Sequence, residues 1–111
     1  MTFINLTPHA LNIHRTDGTV LTLMPDGRVA RVGTTRVPGL SIEGIETFHV
    51  IPGGLTGLPP AGHPANSVAY IVSGMVAVRC VGREDVFSPG ALVRDESGRP
   101  IGCLGLTRIP Q

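Results

Sequence analysis

Lysine is missing altogether: the nine basic residues of this 111-residue chain are all arginine, at positions 15, 28, 31, 36, 79, 83, 94, 99 and 108. A Walker-type phosphate loop, a Schiff base, a kinase-type lysine and a lysine general base all need an ε-amine, so those chemistries are excluded. The arginine bias reads either as codon preference in a GC-rich genome or as selection for planar, bidentate recognition of phosphate or carboxylate. Tryptophan is also missing, Tyr70 is the single tyrosine, and charged residues are 15% of the chain, where about 25% is usual.

Nine basic residues against eight acidic ones leave a net charge of +1, which gives no electrostatic footprint for bulk nucleic acid or an anionic membrane. No run approaches the roughly 18 apolar residues of a membrane span. The opening MTFINLTPHA lacks a basic region followed by an apolar signal core, so a cytoplasmic location is expected. Cys80 and Cys103 show no C-x-x-C spacing and read as small buried thiols. His9, His14, His49 and His63 show no H-x-H or H-x-x-x-H spacing, and no cysteine stands at zinc distance from them. No metal or other cofactor is therefore expected. No G-x-S-x-G elbow occurs, and the acidic pairs Glu84-Asp85 and Asp95-Glu96 are adjacent, so on a strand their carboxylates point to opposite faces. The residues give no grounds for an enzyme.

What is present is apolar and turn-rich. Hydrophobic residues make up 41%, and Gly 15 and Pro 10 punctuate short runs of Val, Ile, Leu and Thr. That pattern predicts a mainly β single domain over 1–111, a small compact antiparallel or mixed sheet, barrel- or sandwich-like. Strands are expected at Phe3 to Leu6, Leu11 to Arg15, Val20 to Met24, Arg28 to Val32 and Glu43 to Ile51. Further strands are expected at Asp85 to Phe87, Ala91 to Arg94 and Ile101 to Ile109. Hairpins should close at Thr16-Asp17-Gly18-Thr19 and Asp95-Glu96-Ser97-Gly98. Val68 to Val72 is almost wholly apolar, as in a central strand buried on both faces. Residues 73–79 either continue as strand or form a short helix with Ser73 as N-cap. Val37-Pro38-Gly39, Ile51-Pro52-Gly53 and Ser88-Pro89-Gly90 each place Pro and Gly as a type II turn does. Pro52 to Asn66 has no apolar periodicity and is expected to be a long surface loop able to cover a ligand.

Two segments carry candidate binding chemistry. A helix opening at Ser73-Gly74 beyond a buried strand would aim free amides at a small anion, and Arg83 could clamp that anion with Asp85 or Glu84 holding the guanidinium or meeting ribose hydroxyls. The competing reading is a plain turn with Arg83 paired to a nearby acid. Asn5, Thr7 and His9 place three hydrogen-bonding side chains around Pro8, where they could meet ribose or base or could simply hold a turn. Low charge predicts apolar surface patches covered by self-association, hence a homo-oligomer.

Ile4-Asn5-Leu6-Thr7-Pro8-His9-Ala10, Gly57-Leu58-Pro59-Pro60, Tyr70-Ile71-Val72-Ser73 and Val93-Arg94-Asp95-Glu96 with Ile101-Gly102 resemble short proteins of tailed phages and prophages. That family has no established activity, so no catalytic residue carries over. The resemblance implies a phage setting, in which small oligomeric β-rich proteins can act as anti-defence sponges for nucleotide immune signals. The expectation is therefore a non-enzymatic protein sequestering a small phosphate-bearing ligand of nucleotide type. A structural or protein-interaction module, such as a minor virion component, is the alternative.

Overall fold

The computed structural model describes residues 2–60 and 67–108. The protein is mainly β, as the turn-punctuated apolar runs predict. Among the described residues eight strands form: β1 (Thr2–Asn5), β2 (Leu11–His14), β3 (Val20–Leu23), β4 (Arg31–Pro38), β5 (Phe48–Thr56), β6 (Val68–Ile71), β7 (Val86–Arg94) and β8 (Pro100–Thr107). A single-turn helix, α1 (Gly74–Ala77), lies between β6 and β7. Ser73 caps it in extended conformation, its hydroxyl accepting from the Val76 amide, so the helical reading of this stretch is the one that forms.

Six strands make a mixed sheet in the order β1-β6-β7-β8-β2-β3. β1, β6 and β7 run parallel, as do β2 and β8, while β2–β3 and β7–β8 are antiparallel. The outer strands approach each other: Asn5 bridges Pro25, and the Asp26 amide donates to the Asn5 carbonyl at 2.9 Å. The sheet is thus a nearly closed barrel, which leaves little unpaired edge.

β6 sits between β1 and β7 with both faces covered, as its uninterrupted apolar run requires. Tyr70 and Val72 join Leu6, Ala30, Val76, Ala77, Cys80 and Val86 in the main core cluster, and Val68 packs against it. Ala69 and Ile71 alternate to the other face and are equally buried. Both cysteines are buried free thiols. The Cys80 thiol donates to the Val76 carbonyl at 3.2 Å, and burial pushes its pKa up, disfavouring the thiolate.

The hairpins β2–β3 and β7–β8 close at the expected turns. In each, an aspartate at the turn accepts from the amide two residues on (Asp17 from Thr19, Asp95 from Ser97), and a glycine at positive φ completes the loop.

Several boundaries differ from expectation. The strand expected at 28–32 starts at Arg31 and runs to Pro38, and the one expected at 43–51 runs from Phe48 to Thr56. Residues 52–56 of the expected surface loop are therefore strand, while 61–66 lie outside the described residues. None of the three Pro-Gly steps is a type II turn, because Gly39, Gly53 and Gly90 are not at positive φ. Two of the three lie within strands. A Cβ on Gly90 would stand 2.1 Å from the Leu104 carbonyl oxygen, and one on Gly53 would stand 3.0 Å from that of Gly33. These glycines let two backbones pass closely instead of reversing one.

β4 and β5 form a separate two-stranded ribbon, bulged between Val32 and Thr34. Its tip, Ile42-Glu43-Gly44-Ile45, has positive φ at both central residues (49° and 79°) and mutual hydrogen bonds between the two isoleucine backbones. That is a type I′ turn, with glutamate where asparagine or glycine is usual.

Candidate functional site

Two of the segments singled out by sequence meet where the parallel strands β1 and β6 end. Leu6 extends β1 by one residue, its amide donating to the Ile71 carbonyl at 2.8 Å, and the Ala30 amide donates to the Leu6 carbonyl at 3.0 Å. These bonds set the peptide after β1 beside the start of α1 and the foot of β4. The result is an open groove of about 230 Å³ whose lining includes Thr7, Pro8, Arg31, Ser73, Met75 and Val76. Its position, outside the carboxyl ends of parallel strands, is where mixed sheets commonly hold ligands.

The polar groups at this groove are few. Thr7 and Ser73 bring hydroxyls, and Arg31 brings a guanidinium with no bonding partner among the described residues. The Gly74 and Met75 amides, at the start of α1, are likewise without a partner among the described residues. Leu6, Val29 and Val76 make the wall apolar. A groove of 230 Å³ is below the roughly 300 Å³ lower bound of drug-sized pockets, so it fits one small anionic group with the rest of a larger ligand outside.

Asn5 is 2% exposed and lies under the groove. Its Oδ1 accepts from the Thr7 amide at 2.9 Å and from the Thr7 hydroxyl at 2.6 Å, while its Nδ2 donates to the carbonyls of His9 and Leu23 at 2.8 and 3.0 Å. The Thr7 hydroxyl also lies 3.0 Å from the His9 carbonyl. Asn5 therefore staples the turn and has no capacity left for a ligand. His9 is exposed and lines a different, wider groove of about 670 Å³ with Leu92, Pro100 and Ile101.

Arg83 and Asp85 do not line the Thr7–Ser73 groove. Their side chains pair in a fork, Arg83 Nε to Oδ1 at 2.8 Å and Nη2 to Oδ2 at 2.9 Å, and Nη2 also donates to the Pro59 carbonyl at 3.1 Å. Both side chains are about one-fifth exposed, and Asp85, ahead of burial, holds the guanidinium pKa above its usual value. Asp85 holds the arginine, as one reading had it, and the fork ties down the Pro59 end of the loop after β5.

Sequence reasoning passed over Arg31, which falls within the strand expected at Arg28 to Val32. Nothing in the local pattern marks it, because positions 7 and 73 meet through the pairing of β1 with β6, and position 31 joins them through the Ala30–Leu6 backbone bond. Among the described residues no three His, Cys, Asp or Glu side chains gather as a metal-binding group, and no helix is long and apolar enough to cross a membrane. No protein-family model matches the chain, and neither curated proteins nor solved structures include a significant match to it.

Proposed function

We propose that this protein is a non-enzymatic binding protein that captures a small phosphate-bearing ligand in the groove between Thr7, Arg31 and Ser73. The observation that carries the reading is the convergence of the Ser73 hydroxyl and an unengaged guanidinium on one small apolar-walled groove beside Thr7, whose own hydroxyl proton is committed to Asn5. A guanidinium matches phosphate oxygens bidentately, and the Ser73 hydroxyl, which only accepts from the Val76 amide, has its proton left to complete the shell. Among the described residues, no carboxylate or histidine lines the groove. In the phage setting implied by the opening Asn-Leu-Thr-Pro-His string, a nucleotide immune signal in the host cytoplasm fits the ligand class, with its phosphate in the groove and its ribose and base outside.

The test uses the missing tryptophan. With one tyrosine the protein absorbs little at 280 nm, so a nucleotide carried through purification dominates the spectrum near 260 nm and is identified by mass after heat release. Added nucleotides should be recovered unchanged. Arg31→Ala should weaken binding about 10- to 100-fold, the range of one charge-assisted contact, while Arg83→Ala should lower stability without that selective loss. A protein that stays empty with every phosphorylated compound offered excludes this reading.

One observation favours the second reading, a structural or interaction module: the apolar side chains exposed along the β4–β5 ribbon. That reading predicts no bound ligand, and the two are separated by the same spectrum.

A further inference from the structure

Among the described residues, the β4–β5 ribbon beyond its bulge has no cover. It is anchored at its foot, where Val32 packs on the core and Arg79 Nη2 donates to the Gly53 carbonyl at 3.1 Å. α1 is the one element, among the described residues, that packs on it to more than a marginal extent. Beyond the bulge it carries apolar residues on both faces: Phe48 and Val50 alternate to one, Val37 and Ile51 to the other. Its tip presents Leu40, Ile42 and Ile45 at 84%, 61% and 65% exposure. The radius of gyration is 17.0 Å, whereas a compact domain of this length has about 13 Å. A lone two-stranded hairpin is marginal in water, and apolar exposure on both faces makes it more so.

We infer that the ribbon is an arm that clasps a second copy of this chain, its isoleucine tip seated in the groove lined by His9, Leu11, Leu92, Pro100 and Ile101 of the other copy. Each chain supplies one arm and one groove, so a twofold exchange satisfies both and closes the assembly. Strands of eight or nine residues make an arm about 30 Å long and about 10 Å wide. Exchange of two arms covers one face of each and the surface beneath it, on the order of 600 Å² per partner before the tips are counted, approaching the roughly 800 Å² of a stable pair. The receiving groove, about 670 Å³ and mostly apolar, carries Leu92 and Ile101 at 60% and 43% exposure. Charge agrees in sign: Glu43 and Glu46 flank the tip, with no basic residue from 37 to 48, and Arg99 adjoins the Pro100 rim. The rim's Asp95 is already committed to the Ser97 and Arg99 amides. The type I′ turn sets the tip in advance, so little ordering cost remains at docking. The arm holds whether or not the Thr7 groove takes a ligand.

Sedimentation equilibrium of the full chain at about 50 μM should give twice the monomer mass. Ile42→Asp with Ile45→Asp, and separately Leu92→Asp with Ile101→Asp, should each give monomers with unchanged far-UV circular dichroism. Mixing the two variants restores one intact clasp, so a heterodimer should form with affinity at least 10-fold below that of the unmodified pair. A monomeric unmodified chain, an arm variant that still pairs, or two folded variants that do not associate when mixed would overturn the inference.

Discussion

Asn5 shows how one side chain can look like a binding residue and be a fastener. Its amide is buried and engaged at both ends, so Asn5→Ala strands the Thr7 amide and hydroxyl and the Leu23 carbonyl without partners. Leaving such groups unsatisfied costs about 1–3 kcal/mol each, partly relieved by water at the surface. We expect a net loss of about 2–3 kcal/mol, read in calorimetry as a fall in Tm of roughly 10 °C. Ligand affinity should fall as well, because Asn5 sets Thr7 in place beside the groove. The candidate site was legible only in part for the same reason. Thr7 and Ser73 stand out as hydroxyls next to turn-forming residues, but nothing local separates a side chain spent on its own backbone from one aimed outward. Arg31 is visible only once the Ala30 amide, bonded to the Leu6 carbonyl, brings the foot of β4 against the end of β1.

Among the elements, the β7–β8 hairpin gathers the clearest tests. At Gly90 a methyl group would press on backbone atoms of Leu104 and Gly105 with no flexible side chain to yield. Gly90→Ala should therefore cost about 3 kcal/mol, the upper end of overpacking, seen as a lower denaturant midpoint. The turn of the same hairpin is pH-sensitive. Hydrogen bonds from the Ser97 side chain, then from the Arg99 amide, hold the Asp95 carboxyl below its usual 3.8. A depressed folded-state pKa means the support is complete above 3.8 and is lost as pH falls through the folded value. Amide exchange at Ser97 and Arg99, corrected for intrinsic rates, should accelerate below about pH 4, whereas Asp95→Asn should flatten that dependence. Strand existence was readable because Val, Ile and Thr runs alternate with turn residues, and Val68 to Val72 announced its burial by carrying no polar position. The Pro-Gly steps misled because the same pair of residues serves a turn, where glycine needs positive φ, and a close strand crossing, where it needs only a missing Cβ. Local sequence does not distinguish these demands.

At the scale of the molecule, the barrel and the arm make opposite uses of the same composition. Low charge suits a barrel buried on both faces of its central strand, and the same scarcity leaves the arm apolar along its length. If two copies fold as one unit, stability depends on concentration: each tenfold increase adds about 1.4 kcal/mol to the pair, or roughly 4 °C in Tm. Calorimetry over two decades of concentration should show that drift for the unmodified chain and none for Ile42→Asp with Ile45→Asp.

The barrel is shut along its seam by very little: one bridge at Pro25, the Asp26 amide and the side chain of Asn5 reaching the Leu23 carbonyl. The same asparagine holds Thr7 in place. If the groove beside Thr7 takes the proposed ligand, its occupancy and closure of the seam are linked quantities, and whatever factor one lends the other is returned in full. A guest that latches the barrel would slow its opening, and a loosened latch would release the guest.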